Sequence, residues 1–92
     1  MPMSQRDELI KRLLSKPKDF EIRELDRLMS FCGCERDNAG KTSGSAVKYF
    51  HRKDGKIFMC HRPHPGNILK PYVVSAAIAF LKDIGEIHGG KQ

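Results

Sequence analysis

The stretch AVKYFHRKDGKIFMCHR, residues 46–62, decides the fold. Ala46–Arg52 and Lys56–Arg62 read as two strands joined through Lys53-Asp54-Gly55-Lys56. An Asp-Gly pair between alternating hydrophobic residues is the strongest short-range signal for a two-residue hairpin turn. If the turn holds Asp54 and Gly55 alone, Lys53 faces Lys56, Tyr49 faces Cys60 and Lys48 faces His61. Strand alternation then sorts the side chains by face. Val47, Tyr49, Phe58 and Cys60 share one face, which is cleanly apolar and is assigned to the core. Ala46, Lys48, Phe50, Arg52, Ile57, Met59 and His61 share the other, which mixes apolar residues with bases.

Working outward from the hairpin, Cys34–Arg36 reads as a further short strand, and the small, polar, glycine-rich DNAGKTSGS (residues 37–45) as a loop. This loop lacks the glycine, lysine and hydroxyl spacing of a P-loop, so nucleotide binding is set aside. Before these lie two helices. Ser4 and Asp7 resemble a capping box ahead of Leu9, Ile10, Leu13 and Leu14, which predict a helix over residues 5–15 that Pro17 stops. Ile22, Leu25, Leu28, Met29 and Cys32 fall on the stripe of a second helix, which Gly33 ends. After the hairpin, Pro71 suits the first turn of a last helix with Val74, Ala77, Ile78, Leu81 and Ile84 on its stripe and Gly85 at its end. The expected architecture is α+β: a three-stranded antiparallel meander with helices on one face, leaving the other face free. Residues 1–19 are read as an N-terminal helix and linker, 20–87 as the domain proper, and 88–92 as a tail.

The 92 residues make one small domain with one modest core. Lysine and arginine outnumber acids 17 to 11, a formal charge of +6, which favours a polyanion such as RNA, DNA or an acidic protein as partner. An odd count of three cysteines argues against a secreted disulfide scaffold. Arg6, Asp7 and Glu8 precede any apolar run, so no signal peptide is expected, and Val73–Leu81 is too short to span a bilayer. The expectation is a cytoplasmic protein with reduced thiols and no membrane partner.

CHRPHPGN, residues 60–67, concentrates the chemistry. Cys32, Cys34, Cys60, His61 and His64 offer metal donors, but their spacing matches no common zinc site, and Cys60 and His61 point to opposite faces of a strand. No metal or other cofactor is expected. Catalysis without a metal fits the residue types better. An imidazole exchanges protons near neutrality, and RNA cleavage needs a base for the 2′-OH, an acid for the leaving oxygen and a cation for the phosphorus centre. His61 and His64, with Arg62 and Lys48 nearby, supply these groups, and two prolines stiffen the segment. The competing reading makes His64 a turn residue and His61 a solvated strand residue. His51 and His88 receive no role. Lys48, Arg52, Arg62 and Lys70 are candidate phosphate contacts. Each alone reads as an ordinary solvated charge, and only as a group do they argue for binding.

Taken together, LMSFCGCE (28–35), Gly44-Ser45 opening a strand, the KDGK hairpin (53–56), HRPHPGN (61–67), Lys70 before the last helix and FLKDIGEI (80–87) resemble the HicA family, toxins of bacterial type II toxin–antitoxin systems. The resemblance covers about residues 20–87. It implies a fold like a double-stranded-RNA-binding domain, with an α-β-β-β-α core, messenger-RNA endonuclease activity, and inhibition by a HicB-like antitoxin. The usual family motif is Gly-Ser-His, whose histidine is catalytic; here Ala46 takes that place. By motif position, the resemblance carries the catalytic role to His64 first and His61 second. Ser45 is a further candidate RNA contact. Phe50, Ile57 and Met59, on the mixed face, suit an antitoxin lying over the sheet. Two other readings are a catalytically degenerate module that binds RNA or antitoxin, and a zinc-binding adaptor built on the cysteines.

Overall fold

The structure is a computed structural model, and it describes residues 4–37, 46–63 and 66–87. Among these, the chain runs through helix α1 (Gln5–Leu14), helix α2 (Ile22–Phe31), strand β1 (Cys34–Arg36), strand β2 (Ala46–His51), strand β3 (Ile57–His61) and helix α3 (Pro71–Asp83). The strands form an antiparallel meander in the order β1-β2-β3. The architecture is the α+β arrangement expected from the sequence.

The hairpin keeps its faces and changes its register. Ala46 pairs with His61, Val47 with Cys60, Lys48 with Met59, Tyr49 with Phe58 and Phe50 with Ile57. Each partner lies two residues from the one expected from a two-residue turn. The loop holds four residues, Arg52 to Gly55, closed by the His51 N–H donating to the Lys56 carbonyl at 2.8 Å. Asp54 explains the difference. Its carboxylate accepts the Lys56 N–H at 3.0 Å and lies 3.0 Å from Nδ1 of His51. An aspartate that binds the backbone two residues on builds its own turn, and the left-handed Gly55 (φ +76°) completes the reversal. Because side chains alternate with period two, a slip of two residues leaves every side chain on its expected face. Val47, Tyr49, Phe58 and Cys60 are buried, while Ile57 and Met59 remain 58% and 59% exposed.

The helices close over the apolar face. Leu25, Leu28 and Met29 of α2, Leu13 of α1, and Val73, Val74, Ala77, Ile78, Phe80 and Leu81 of α3 meet Val47, Tyr49 and Phe58 in one core. The helix ends follow local chemistry. Ser4 accepts the Asp7 N–H at 3.1 Å, and Lys16, held in a left-handed conformation before Pro17, stops α1. Glu21 and Glu24 form a capping box at the start of α2, and Pro71 opens α3. The hydroxyl of buried Tyr49 donates to Asp26 at 2.8 Å, which ties α2 to the central strand.

Helix α1 is joined to the rest by charge as well as by Leu13. Arg6 donates to the Glu86 carboxylate at 2.6 Å, and Arg12 donates to Glu24 at 2.7 Å and to Asp19 at 3.1 Å. The hydrogen bonds from Arg12 hold the Glu24 carboxyl below the usual range. A carboxylate with a lowered folded pKa adds stability that is complete above its unfolded value, about 4.3, and is lost as pH falls through the folded value. Both side chains touch water, so the contribution is about 1 kcal/mol at most. Glu24→Gln is expected to lower urea stability by that amount at pH 7, and the gap from the unsubstituted protein should close in acid. A gap that stays constant across the acid range would remove the ion pair as its cause.

Candidate functional site

The C-terminal end of β3 delivers His61 to the open face of the sheet, where it is exposed and directly opposite Ala46. The chain then turns through Arg62, which is exposed, and Pro63, which is buried and fixes the exit from the strand. Its return leg is pinned from the other side. Ile22 donates its N–H to the Asn67 carbonyl at 2.9 Å, and Leu69 donates to the Phe20 carbonyl at 2.8 Å. Ile68 pairs with Glu21 as an isolated antiparallel bridge, and the Leu69 side chain is buried. Lys70 follows as the extended N-cap of α3. The start of α2, remote in sequence, thus sets the position of the segment that carries Lys70.

These constraints form a small open cleft of about 150 Å³. Buried Pro63, Leu69 and Val73 make its apolar floor, and His61, Arg62, Lys70 and Tyr72 carry its polar and aromatic groups. An imidazole, a guanidinium and an ammonium on one concave surface can bind a phosphodiester and exchange a proton with it.

The structure therefore brings together His61, Arg62 and Lys70 of the residues singled out in the sequence. Lys48 lies half-buried on the same open face, beside Met59 in the ladder. Arg52 stands apart. It lies in the hairpin loop, about 20 Å along the sheet from Ala46 at strand rise, and pairs with Glu35 at 3.1 Å. His64 and Ser45 lie outside the described residues. Tyr72, which sequence reasoning passed over, belongs to the cleft. The available signal was its place beside Pro71 and off the apolar stripe of α3. His51, given no role from sequence, is buried at the hairpin end beside Asp54.

The cysteines do not join this cleft. Burial pushes the Cys32 and Cys34 thiols up to about 11 and raises that of Cys60. Cys60 faces the core while His61 faces out. Among the described residues, no three histidines, cysteines or acids form a group able to hold a metal ion. A thiol is reactive only as thiolate, so alkylation of Cys32 and Cys34 in the native protein at pH 7 is expected to be about a hundredfold slower than in the unfolded chain, and that of Cys60 slower as well. Rapid modification of any cysteine under native conditions, followed by mass spectrometry, would contradict this burial.

No helix among the described residues is long and apolar enough to cross a membrane. A family model described as "HicA toxin of bacterial toxin-antitoxin" matches residues 22–86. No curated protein and no solved structure matches the chain.

Proposed function

Since the chain belongs to the HicA family, the toxins of bacterial toxin–antitoxin systems, we propose that it is a metal-independent endoribonuclease acting on messenger RNA in the cytoplasm. The observation that carries this reading is the cleft in which His61, Arg62 and Lys70 meet. His64 is the first candidate for one proton-transfer role and His61 for the other. One imidazole takes the 2′-OH proton, and the 2′ oxygen attacks the adjacent phosphorus. The other protonates the 5′ oxygen as the P–O5′ bond breaks, leaving a 2′,3′-cyclic phosphate. Arg62 and Lys70 offset the negative charge that gathers on the phosphoryl oxygens. Ser45, Lys48 and Arg52 are the remaining proposed RNA contacts, with Arg52 placed to meet only a distant part of the strand.

The place of Ala46 supports using a strand β3 histidine. Residues directly opposite in an antiparallel pair have Cβ atoms about 4.5–5.5 Å apart on one face. The Gly-Ser-His histidine of the family would stand at position 46, so it would be the cross-strand neighbour of His61. An imidazole is thus present at that end of the sheet although residue 46 is alanine.

Ile57 and Met59, with half-buried Phe50, form the apolar part of the open face. We assign this surface to a HicB-like antitoxin, which would cover it and the adjoining cleft together. The test of the activity is cleavage of a long single-stranded RNA by the purified protein in excess EDTA. Cleavage that the antitoxin abolishes is the expected result. Salt-dependent RNA binding without cleavage would favour the second reading, a degenerate binding module, which the alanine at position 46 itself suggests.

A further inference from the structure

Helix α3 turns Val73, Val74, Ala77, Ile78, Phe80 and Leu81 into the core. Tyr72, in its first turn, points away from that core and is 64% exposed. A tyrosine left so open contributes little to packing, and it stands in the same cleft as an imidazole and two cations. Its neighbours are fixed: Pro71 presets the helix start, and Leu69 is buried beneath the cleft. The cleft of about 150 Å³ falls well below the roughly 300–1,000 Å³ of sites that enclose drug-sized ligands. It suits one flat ring against a wall rather than a larger molecule.

We propose that Tyr72 is a stacking platform that holds one unpaired nucleobase of the RNA beside His61, and thereby selects single-stranded over duplex RNA. The proposal rests on the reading of the cleft as an RNA-cleaving site. Arg62 and Lys70 hold the flanking phosphates, which any nucleic acid presents. The ring of Tyr72 needs a base face, and in a duplex both faces of each base are covered by neighbours. Stacking on an aromatic side chain tolerates any base, so Tyr72 sets strandedness and position of the strand rather than sequence. Tyr72 is here a positioning residue: it places the 2′-OH and the phosphate against His61 and moves no proton itself.

The test uses the full chain and a short 2′-O-methyl RNA containing 2-aminopurine, which cannot be cut because its 2′ oxygens are blocked. Its duplex with the complementary strand is the comparison. The unsubstituted protein is expected to quench the fluorescence of the single strand and to bind it more tightly than the duplex. Tyr72→Ala should lose the quench and the preference, binding the single strand about tenfold more weakly, while Tyr72→Phe keeps both. Stacking releases no counterions, so Tyr72→Ala should leave the salt slope unchanged, whereas Lys70→Ala should reduce it by about 0.7. The thermal midpoint of Tyr72→Ala should match that of the unsubstituted protein, which separates lost stacking from lost folding. If Tyr72→Ala quenches and binds like the unsubstituted protein while Lys70→Ala weakens binding, the stacking role fails and the RNA site stands. Equal binding of duplex and single strand overturns the selection. If the unsubstituted protein binds neither, the stacking role and the ribonuclease reading fall together.

Discussion

His64→Ala is expected to slow cleavage of single-stranded RNA in EDTA by a factor of about 10²–10⁴, with RNA binding nearly retained. That range is what a positioned acid or base contributes to a transition state. His61→Ala should fall in the same range, because the proposed step needs one imidazole to take a proton and another to give one. Arg62 and Lys70 keep their charge in both variants, so affinity should change little while the turnover number falls. A rate that depends on one base and one acid is bell-shaped in pH, and each single variant should lose one limb of that bell. The double variant should be no more than slightly slower than either single one, since two groups acting in one step are not additive. Growth arrest on expression should be relieved by either substitution. Should both variants cut at the unsubstituted rate, neither histidine handles a proton, and the chemistry must lie elsewhere on the sheet.

The sequence made the elements legible because each rests on short-range physics. Alternation along residues 46–62 gave both faces of the hairpin, and the helices followed from Leu25-Leu28-Met29 and Val74-Ala77-Ile78-Leu81 with their capping residues. The register was missed for a local reason: Asp54 spends its carboxylate on Lys56 and His51, so the Asp-Gly pair ends a four-residue loop instead of forming a two-residue turn. The cleft was only half legible. His61, Arg62 and Lys70 are marked by residue type, and their meeting depends on the start of α2 holding Asn67 and Leu69 through two backbone hydrogen bonds. Backbone groups carry no side-chain signature, so nothing in the composition of residues 20–22 announces that role. Tyr72 enters the cleft because of the way α3 sits against the end of β3, and Arg52 is left out because the hairpin projects it to the far end of the sheet.

The dependence of the cleft on residues far from it leads to the second large expected effect. Phe20→Ala should destabilise the protein by about 3–5 kcal/mol, the usual range for removing a fully buried phenylalanine. A domain of 92 residues has about 5–14 kcal/mol in all, so the loss is about a fifth of the total or more. Phe20 is 0% exposed, between α1 and α2 in sequence. Its ring carries the Arg12 guanidinium at 5.5 Å, the same group that reaches Glu24 and Asp19. Alanine would leave a cavity and remove the surface on which Arg12 rests. The carbonyl of residue 20 would remain, but the hydrogen bond it accepts from the Leu69 N–H is held in place by a side chain that is now missing. Urea unfolding should show the midpoint drop with little change in slope, because the same surface is exposed on unfolding. Phe20→Leu should recover most of the stability, since it refills most of the volume. Cleavage gives the sharper reading. No side-chain atom of Phe20 lines the cleft, so the residual folded Phe20→Ala protein in the cold should still cut RNA, with activity lost on warming as the fold is lost. A Phe20→Ala protein that stays folded when warmed yet cannot cut would instead mean that the 20–22 to 67–69 contact positions the cleft directly, and that its role is separable from holding the domain together.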